Sequence, residues 1–362
     1  MASPWLGFRF SAWRRLLGRN PGAIPASRLH VAAGITAASL VHSGLAFLEN
    51  VIWSRRIDAV RLEPPLFILG HWRSGTTHLH ELLVQDPAHT SPNTYECFDP
   101  NHFLLTEGST DRLLAFLLPS RRPMDNMAVG FARPQEDEFA LCGIGLPSPY
   151  LSIAFPGRPP QDPEYLDFDR VPAEQVDAWQ QGLARFLKRV ALKRPGRIVL
   201  KSPAHTARLP ALVRAFPDAR FIHIVRDPYE VFPSTLHLWK SLQEAWAIAP
   251  GPCPWLREHV LQSFVRMYAA FDRGVALVPR DHLVHTTYED LVARPLVELQ
   301  RIYSHLGLGD FDRVRPSVER YLDGLKDYKR NEFKTSREDI DAVTQHWGHI
   351  VTRYGYPLKT GV

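Results

Sequence analysis

The sequence predicts an α/β fold with a central, mainly parallel β-sheet flanked by helices on both faces. Short apolar runs of the kind that form buried strands recur near residues 66–70, 197–201 and 220–225, and a fourth strand is expected near 282–286. The first and third of these runs each lead through a short turn into a segment with helical spacing of its apolar residues. Strands that alternate with helices are typical of parallel sheets.

The composition is that of an ordinary globular protein, because 45% of the 362 residues are hydrophobic and 22% are charged. Lys and Arg outnumber Asp and Glu by 43 to 38, and no long basic run occurs. This mild excess favours an anionic small-molecule ligand and argues against a nucleic-acid partner. The three cysteines have no close pairing, which predicts a reducing, cytoplasmic compartment without disulfides.

No metal site is predicted from the sequence. The chain contains no HExxH motif, and no spacing of two histidines and one carboxylate that would indicate metal ligands. Single histidines such as His102 are therefore interpreted as ordinary core or surface residues.

Residues 1–60 are predicted to form an N-terminal helical extension, and residues 61–362 an α/β domain with helical inserts at 102–118 and 174–193. The segment Val31–Leu48 has no formal charge. Three interpretations stay open for it: a helix packed on the protein's own core, an interfacial helix in peripheral contact with a membrane, or a membrane span. The flanking Arg28, Arg55 and Arg56 are typical of the interfacial case.

The most informative segment runs from the strand Leu66–Leu69 through a glycine turn into a helix. Backbone N–H groups of such a turn, and the positive end of the helix, bind phosphate or sulfate, so the fold is of P-loop type. Gly70 and Gly75 have the spacing of the GxxxxGK[ST] motif. However, Thr76 occupies the position of the motif's Lys, and the cation comes earlier, at Arg73. This substitution disfavours nucleoside-triphosphate chemistry.

A second strand, near Phe221–Val225, ends at Arg226 and leads into a helix with Pro228 in its first turn. Ligands of open parallel sheets bind outside the carboxyl ends of the strands. Arg226 and Ser234, two helical turns further on, are therefore predicted to converge on one anion, the first through its guanidinium and the second through its hydroxyl.

The sequence RSGTT at 73–77 closely resembles the 5′-phosphosulfate loop of the sulfotransferases that use 3′-phosphoadenosine 5′-phosphosulfate (PAPS). It is most similar to the tyrosylprotein and bacterial branch, which has Arg at this place. The resemblance covers about residues 66–356 and is thin from 100 to 190. It implies PAPS as donor, adenosine 3′,5′-bisphosphate as product and no metal ion. It also implies a set of donor-binding residues, which are Arg73, Ser74, Gly75, Thr76, Thr77 and His78 at the 5′ end and Arg226 and Ser234 at the 3′-phosphate.

Three further segments resemble parts of the same family. Lys201, at the end of the run 197–201, is similar to the catalytic Lys that acts on the bridging oxygen of the donor, as Arg73 does from the loop. Tyr288 begins a YEDL segment in which the Tyr approaches the nucleotide. Lys329 and Arg330 lie in a basic loop that is expected to fold over the phosphates.

The general base stays open between three candidates. Glu96 follows the first helix at about the distance at which enzymes with the Arg-type loop place their base. His205 lies four residues after Lys201, whereas the cytosolic members have a His two residues after it. The acidic residues 136–138 (Glu136, Asp137 and Glu138) are the third candidate, and they are also suited to binding the acceptor.

The predicted function is therefore transfer of a sulfuryl group to a hydroxyl of a small molecule, lipid or glycan. A P-loop nucleoside or metabolite kinase, and a catalytically silent nucleotide-binding scaffold, are the alternatives. The sequence indicates neither the acceptor nor the oligomeric state.

Overall fold

The computed structural model describes residues 3–108, 130–325, 333 and 335–359. These residues divide into two compact units. The first comprises Met1–Glu63, Ser91–Gly196 and Trp239–Trp255, and the second comprises Pro64–Thr90, Arg197–Leu238 and Leu256–Val362.

The regular elements are, in chain order, α1 (Phe10–Arg19), α2 (Leu29–Ala59), β1 (Leu66–Leu69), α3 (Thr76–Leu83), β2 (His89–Thr90), α4 (Thr94–Phe98), α5 (Phe103–Thr106), α6 (Asp137–Ile144), α7 (Ala173–Lys193), β3 (Arg197–Lys201), α8 (Leu209–Ala215), β4 (Arg220–Val225), α9 (Pro228–Trp246), α10 (Leu256–Val275), β5 (Leu283–Thr287), α11 (Tyr288–Ala293), α12 (Pro295–Leu306), α13 (Phe311–Asp323) and α14 (Arg337–Arg353).

The second unit contains a five-stranded sheet in the order β2-β3-β1-β4-β5, and all of its pairings are parallel. The four strands expected from the sequence are present, and the mainly parallel sheet is confirmed. Strand β2 was not predicted, because a strand of two residues, His89 and Thr90, is too short to show any periodicity.

Helices cover both faces of this sheet. Successive side chains of a strand point to opposite faces, so the neighbours of adjacent residues in β1 show what packs on each face. On one face, Leu66 and Ile68 of β1 belong to a buried cluster with Leu79 of α3. On the other face, the ring of Phe67 packs 5.9 Å from that of Phe216, which follows α8. The predicted arrangement of helices on both faces is therefore confirmed.

The first unit is helical over its described residues. The Nε1 atom of Trp13 in α1 donates a 2.8 Å hydrogen bond to Thr36 Oγ1 in α2. Helix α7 confirms the helical insert predicted at 174–193. The insert predicted at 102–118 begins as expected with the helical turn α5, but this helix ends at Thr106. Its remainder from residue 109 lies outside the described residues.

Helix α2 is much longer than its uncharged stretch, and its 31 residues span about 46 Å. Among the described residues, it is the one helix long and apolar enough to cross a membrane by length and composition alone. Few of its side chains are buried, and they include Ile35, Ser39 and Glu49. The rest of the helix exposes a row of large apolar side chains, namely Leu40, Val41, Phe47, Leu48, Val51 and Ile52.

Candidate active site

Three adjacent strands, β3, β1 and β4, end at the same edge of the sheet, which is where the predicted binding residues lie. The strand order reverses around β1, with β3 and β2 on one side and β4 and β5 on the other. Ligands of open α/β sheets bind at such a reversal, outside the carboxyl ends of the strands. Lys201 ends β3, the loop 70–75 follows β1, and Arg226 follows β4.

The loop after β1 requires glycine at two positions. At Gly70, which has φ +154°, a Cβ atom would lie 2.5 Å from the carbonyl oxygen of Ile224 in β4. At Gly75, with φ +94°, it would lie 2.3 Å from the ring of Tyr288. Both contacts are closer than any side chain tolerates. The two glycines therefore let the loop pass directly over the sheet edge.

Helix α3 begins immediately after this loop. Its N-cap is Gly75, and no side chain caps its first turn. Because Gly75 has no side chain to cap the first N–H groups, the positive end of the helix is suited to an anion. Of the residues predicted to bind there, Ser74 and Thr76 are buried and Thr77 and His78 are half-buried. Burial lowers the pKa of His78 and so favours its neutral form.

Arg73 connects the loop to helix α9. It has φ +70°, a left-handed conformation that is uncommon for a residue with a side chain. Its Nε atom donates a 2.8 Å hydrogen bond to the hydroxyl of Ser234, which is itself buried. Arg73 and Ser234, which were predicted from two separate segments, are thus in direct contact.

Arg226 reaches the same place from the end of β4. Its Nη1 atom donates to the backbone carbonyl of Arg73 at 3.3 Å, and Nη2 forms an ion pair with Glu230. The guanidinium lies 4.5 Å above the ring of Tyr288, the first residue of α11. Its Nε atom is buried and has no hydrogen-bond acceptor among the described residues. A buried, charged N–H of this kind is suited to binding an anion.

Lys201 is the last residue of β3, and His205 lies four residues further along the chain. Both side chains are buried. Lys201 lies beside Ile68 of β1 in the sheet register. His205 lies in the single 3-10 turn Pro203–Thr206, and its ring packs edge-on against Phe67 at 5.5 Å. Between them, the hydroxyl of Ser202 is buried without a hydrogen-bond partner among the described residues. No role was predicted for Ser202, because a serine beside a strand end is not part of any recognisable spacing.

Glu96 has a structural function that the sequence did not reveal. It is the third residue of the short helix α4, where its side chain and that of Asn93 form a reciprocal capping box. Its Oε2 atom also accepts a 2.7 Å hydrogen bond from Arg194, whereas Oε1 is buried with no partner among the described residues. Burial raises the pKa of Glu96, and the Arg194 contact opposes this shift. A raised pKa makes the carboxylate a stronger base.

The three acids of the triplet are held at the start of α6, where the helix dipole favours negative charge. Glu136 accepts a 2.6 Å hydrogen bond from the hydroxyl of Tyr150, and Glu138 accepts one from Ser148. Asp137 and Glu138 are fully buried. Glu96 and the triplet belong to the first unit, whereas Arg73, Lys201, His205 and Arg226 belong to the second.

Comparison with known protein families identifies this arrangement. A model of the sulfotransferase family matches residues 64–313, a range that contains the loop, all five strands and every residue of the site named above. The chain belongs to the sulfotransferase family. It is an enzyme that transfers sulfuryl groups, and the kinase and silent-scaffold alternatives are not favoured.

Two curated relatives extend the match beyond the sheet. The omega-hydroxy-beta-dihydromenaquinone-9 sulfotransferases Stf3 of Mycobacterium bovis and Mycobacterium tuberculosis are each 45% identical over 357 residues, which cover 98% of this chain and 92% of the relative. Mouse carbohydrate sulfotransferase 5 is 30% identical over 144 residues, which cover 37% of this chain and 36% of the mouse protein.

Solved structures support the fold of this sulfotransferase. Sulfotransferase STF9 from Mycobacterium avium superposes with a TM-score of 0.74 at 18% identity, covering 96% of this chain and 93% of that chain. Sulfotransferase STF1 from Mycobacterium tuberculosis gives a TM-score of 0.65, also at 18% identity, covering 95% of this chain and 94% of that chain.

Two predicted residues of the sulfotransferase cannot be placed. Lys329 and Arg330, the basic loop expected to fold over the phosphates, lie outside the described residues.

Two residues that contact predicted site residues, Arg194 and Thr206, were not predicted from the sequence. Thr206 Oγ1 accepts a 2.7 Å hydrogen bond from the N–H of Gly70. Neither residue lies in a recognisable motif, so only the fold brings it to the site.

Proposed function

We propose that this sulfotransferase takes its sulfuryl group from PAPS and transfers it to the hydroxyl of a long apolar acceptor. The hydrogen bond from Arg73 Nε to Ser234 Oγ carries the donor part of this proposal. It joins the anion loop after β1 to the helix after β4, at the point that Arg226 also reaches. A nucleotide with anionic groups at both its 5′ and 3′ positions needs two anion sites side by side, and ATP does not.

The residues divide between the two ends of the donor. The 5′-phosphosulfate binds to Arg73 and to the loop and first helical turn, including Ser74, Gly75, Thr76, Thr77 and His78. The 3′-phosphate binds Arg226 and Ser234, with the free Nε atom of Arg226 as one donor. Tyr288, which supports both Gly75 and the Arg226 guanidinium, lies beside the nucleotide.

The reaction is an in-line displacement at sulfur. The acceptor oxygen forms a new bond to sulfur, while the bond between sulfur and the bridging oxygen of the donor breaks. The electron pair of that bond stays on the leaving adenosine 3′,5′-bisphosphate, and Lys201 with Arg73 stabilises the added negative charge there. A general base removes the acceptor's hydroxyl proton. Glu96 is the proposed base, because its Oε1 is uncommitted among the described residues and burial raises its pKa.

The acceptor proposal rests on the 45% identical relatives, whose name gives a hydroxylated menaquinone as acceptor. The exposed apolar row of α2 is consistent with it, because an enzyme that modifies such a lipid must reach a membrane surface. We therefore place the enzyme in the cytoplasm, in peripheral contact with a membrane through α2. The domain division at residue 60 stays a prediction.

Calorimetry tests the donor. Adenosine 3′,5′-bisphosphate is expected to bind at least about 100-fold more tightly than ATP, since two charge-assisted contacts at the 3′-phosphate contribute roughly 1.5–3 kcal/mol each. Equal or tighter binding of ATP would contradict the donor assignment.

A product screen tests the acceptor. The purified enzyme is incubated with PAPS and a bacterial lipid extract, and products heavier by one sulfuryl group are identified by mass spectrometry. Sulfated products in the apolar fraction are expected, and they should be missing with Lys201→Ala. A saccharide extract is incubated with the enzyme and PAPS in parallel. Sulfated products that form only in this saccharide extract would contradict the lipid proposal and leave the donor proposal intact.

A further inference from the structure

Two histidines and one aspartate that are distant in the sequence meet in the first unit. His42 lies in the middle of α2, Asp99 follows α4, and His102 precedes α5. The Nδ1 atom of His42 is 2.6 Å from Nε2 of His102. Asp99 Oδ1 is 3.3 Å from the first nitrogen and 3.1 Å from the second. Three potential metal-binding atoms therefore form one small triangle.

The dimensions of this triangle suit a transition metal. Around a tetrahedral zinc ion, with bonds of about 2.0–2.2 Å, neighbouring ligand atoms lie about 3.3 Å apart. The two distances to Asp99 Oδ1 agree with this spacing. The distance between the two nitrogens is shorter, and it requires the rings to separate by less than about 1 Å.

Asp99 Oδ1 has an additional feature that indicates a ligand. It is buried and has no hydrogen bond among the described residues, although both ring nitrogens lie within 3.3 Å of it. The imidazole rings are nearly parallel, with an interplanar angle of 8° and centroids 4.9 Å apart.

Neighbouring side chains hold these ligands in place. The other nitrogen of His102, Nδ1, is 3.0 Å from the hydroxyl of Thr106. The hydroxyl of Tyr95 is 2.8 Å from Thr106 Oγ1 and 3.4 Å from Asp99 Oδ2. Metal-binding histidines characteristically engage their second nitrogen in this way, which fixes the tautomer and the ring orientation.

We propose that His42, Asp99 and His102 form a binding site for a divalent transition metal of the zinc class. Two nitrogens and one carboxylate oxygen are the ligand set of zinc sites that keep a fourth position for water, whereas magnesium and calcium prefer oxygen alone. A metal ion bound here cross-links α2 to the segment that carries α4 and α5. It therefore stabilises the first unit, including the helix on which Glu96 lies three residues before Asp99. The proposal does not rest on the donor or the acceptor.

Zinc titration of the tag-free, chelator-stripped full-length protein tests this inference. Calorimetry against a competing chelator is expected to give one zinc per chain with a micromolar or tighter dissociation constant, and zinc is expected to raise the melting temperature. His42→Gln and Asp99→Asn, which keep side-chain size, should each weaken binding by at least about 100-fold, because loss of an outer partner alone costs 10–100-fold. Thr106→Val should weaken binding about 10-fold.

The controls separate this site from other zinc-binding groups. His30→Gln removes an exposed histidine of the same helix, and Cys253→Ser removes a half-buried thiol. Both variants should bind zinc like the wild type. Cobalt(II) bound to the wild type should give the visible absorption of a tetrahedral site, which Asp99→Asn should lose. Absence of saturable zinc binding by the folded wild type would overturn the proposal and leave a histidine–histidine hydrogen bond. Zinc binding that both His42→Gln and Asp99→Asn retain would also overturn it.

Discussion

At the scale of single residues, the three guanidinium nitrogens of Arg226 have different environments. Two of its nitrogens contact the protein, at Glu230 and at the Arg73 carbonyl, whereas Nε has no acceptor among the described residues. The first two contacts orient the guanidinium, and we propose that the third nitrogen binds the 3′-phosphate. Sequence alone indicated the position of Arg226 at a strand end, but not this division of its donors, which depends on side-chain conformation.

Replacing Arg226 by Ala is expected to weaken binding of adenosine 3′,5′-bisphosphate by about 1.5–3 kcal/mol, because a charge-assisted contact is lost. Binding of adenosine 5′-phosphate, measured in the same calorimeter, should change much less. Arg220→Ala, at the opposite end of the same strand, is the matched control and should bind both nucleotides normally. Equal losses for the two nucleotides would mean that Arg226 does not recognise the 3′-phosphate.

Lys201 and Glu96 are expected to differ in their dependence on the acceptor. Lys201→Ala should lower kcat by roughly 10²–10³ with every acceptor, because Lys201 acts on the leaving group. Glu96→Gln should cost about 10²–10⁴ with an alkyl alcohol and much less with an acidic phenol, whose proton is easily lost. In the wild type, kcat should fall as the pH drops through the raised pKa of Glu96.

The dependence on acceptor acidity separates catalysis from the structural function of Glu96 in its capping box and its ion pair with Arg194. A purely structural loss would lower both rates equally. If Glu96→Gln keeps full activity on a weakly acidic alcohol, Glu96 is not the base, and His205 and Glu136 are the next variants to measure.

His71 provides a pH-dependent contribution to stability. Its ring is fully buried among Trp72, Phe264 and Trp347, and this burial lowers its pKa to about 3. Between pH 3 and about 6.5 the unfolded chain binds a proton that the folded protein does not, so the free energy of unfolding falls as the pH drops below about 6.5.

From pH 7 to pH 5 this single residue should remove about 2 kcal/mol of stability. Urea denaturation of the wild type and of His71→Gln at both pH values measures the effect. The wild type should lose about 2 kcal/mol more than the variant. Parallel losses in the two proteins would show that His71 is not held neutral by the fold.

At the scale of elements, apolar pattern and length decided what the sequence could predict. Strands β1, β3 and β4 and helix α7 were predictable from their apolar runs or helical period, and β5 was expected at its place although only Leu283 and Val284 in it are apolar. Strand β2 and helix α5 were not, since two to four residues show no period. Helix α2 was expected over its uncharged stretch, but it continues through the charged residues Glu49, Arg55 and Arg56.

The exposed row of α2 is expected to bind membranes. Wild-type protein should sediment with vesicles that contain anionic lipid and less with purely zwitterionic vesicles, because Arg28, Arg55 and Arg56 flank the row. Phe47→Ser with Val51→Ser should reduce the partition coefficient by about 10-fold or more, since each large apolar side chain contributes roughly 1.5–3 kcal/mol when fully buried. Val297→Ser, on α12, replaces an equally exposed valine and should have no effect. Equal sedimentation of the double variant and the wild type would contradict the interfacial interpretation.

At the scale of the whole molecule, the position of Arg73, Lys201 and Arg226 at one sheet edge was predictable, whereas the cluster of His42, Asp99 and His102 was not. Lys201 ends a strand, Arg73 and Arg226 come after strands, and parallel strands bring their carboxyl ends to one edge, so local sequence was sufficient to place these three residues. His42 lies within α2 and His102, 60 residues later, precedes α5, so only packing within the first unit brings them together. His102 was therefore interpreted as an ordinary histidine, and no metal site was predicted from the sequence.

The most direct test of the account is PAPS turnover by the purified protein in excess EDTA, with a long-chain alcohol as acceptor. Adenosine 3′,5′-bisphosphate and the sulfated alcohol should form in equal molar amounts. The initial rate should stay within about two-fold of that without EDTA, because Arg73, Lys201 and the loop amides supply the charge that magnesium supplies in kinases. Lys201→Ala should lose the activity under both conditions. Failure to release adenosine 3′,5′-bisphosphate, or complete inhibition by EDTA that magnesium reverses, would contradict the account.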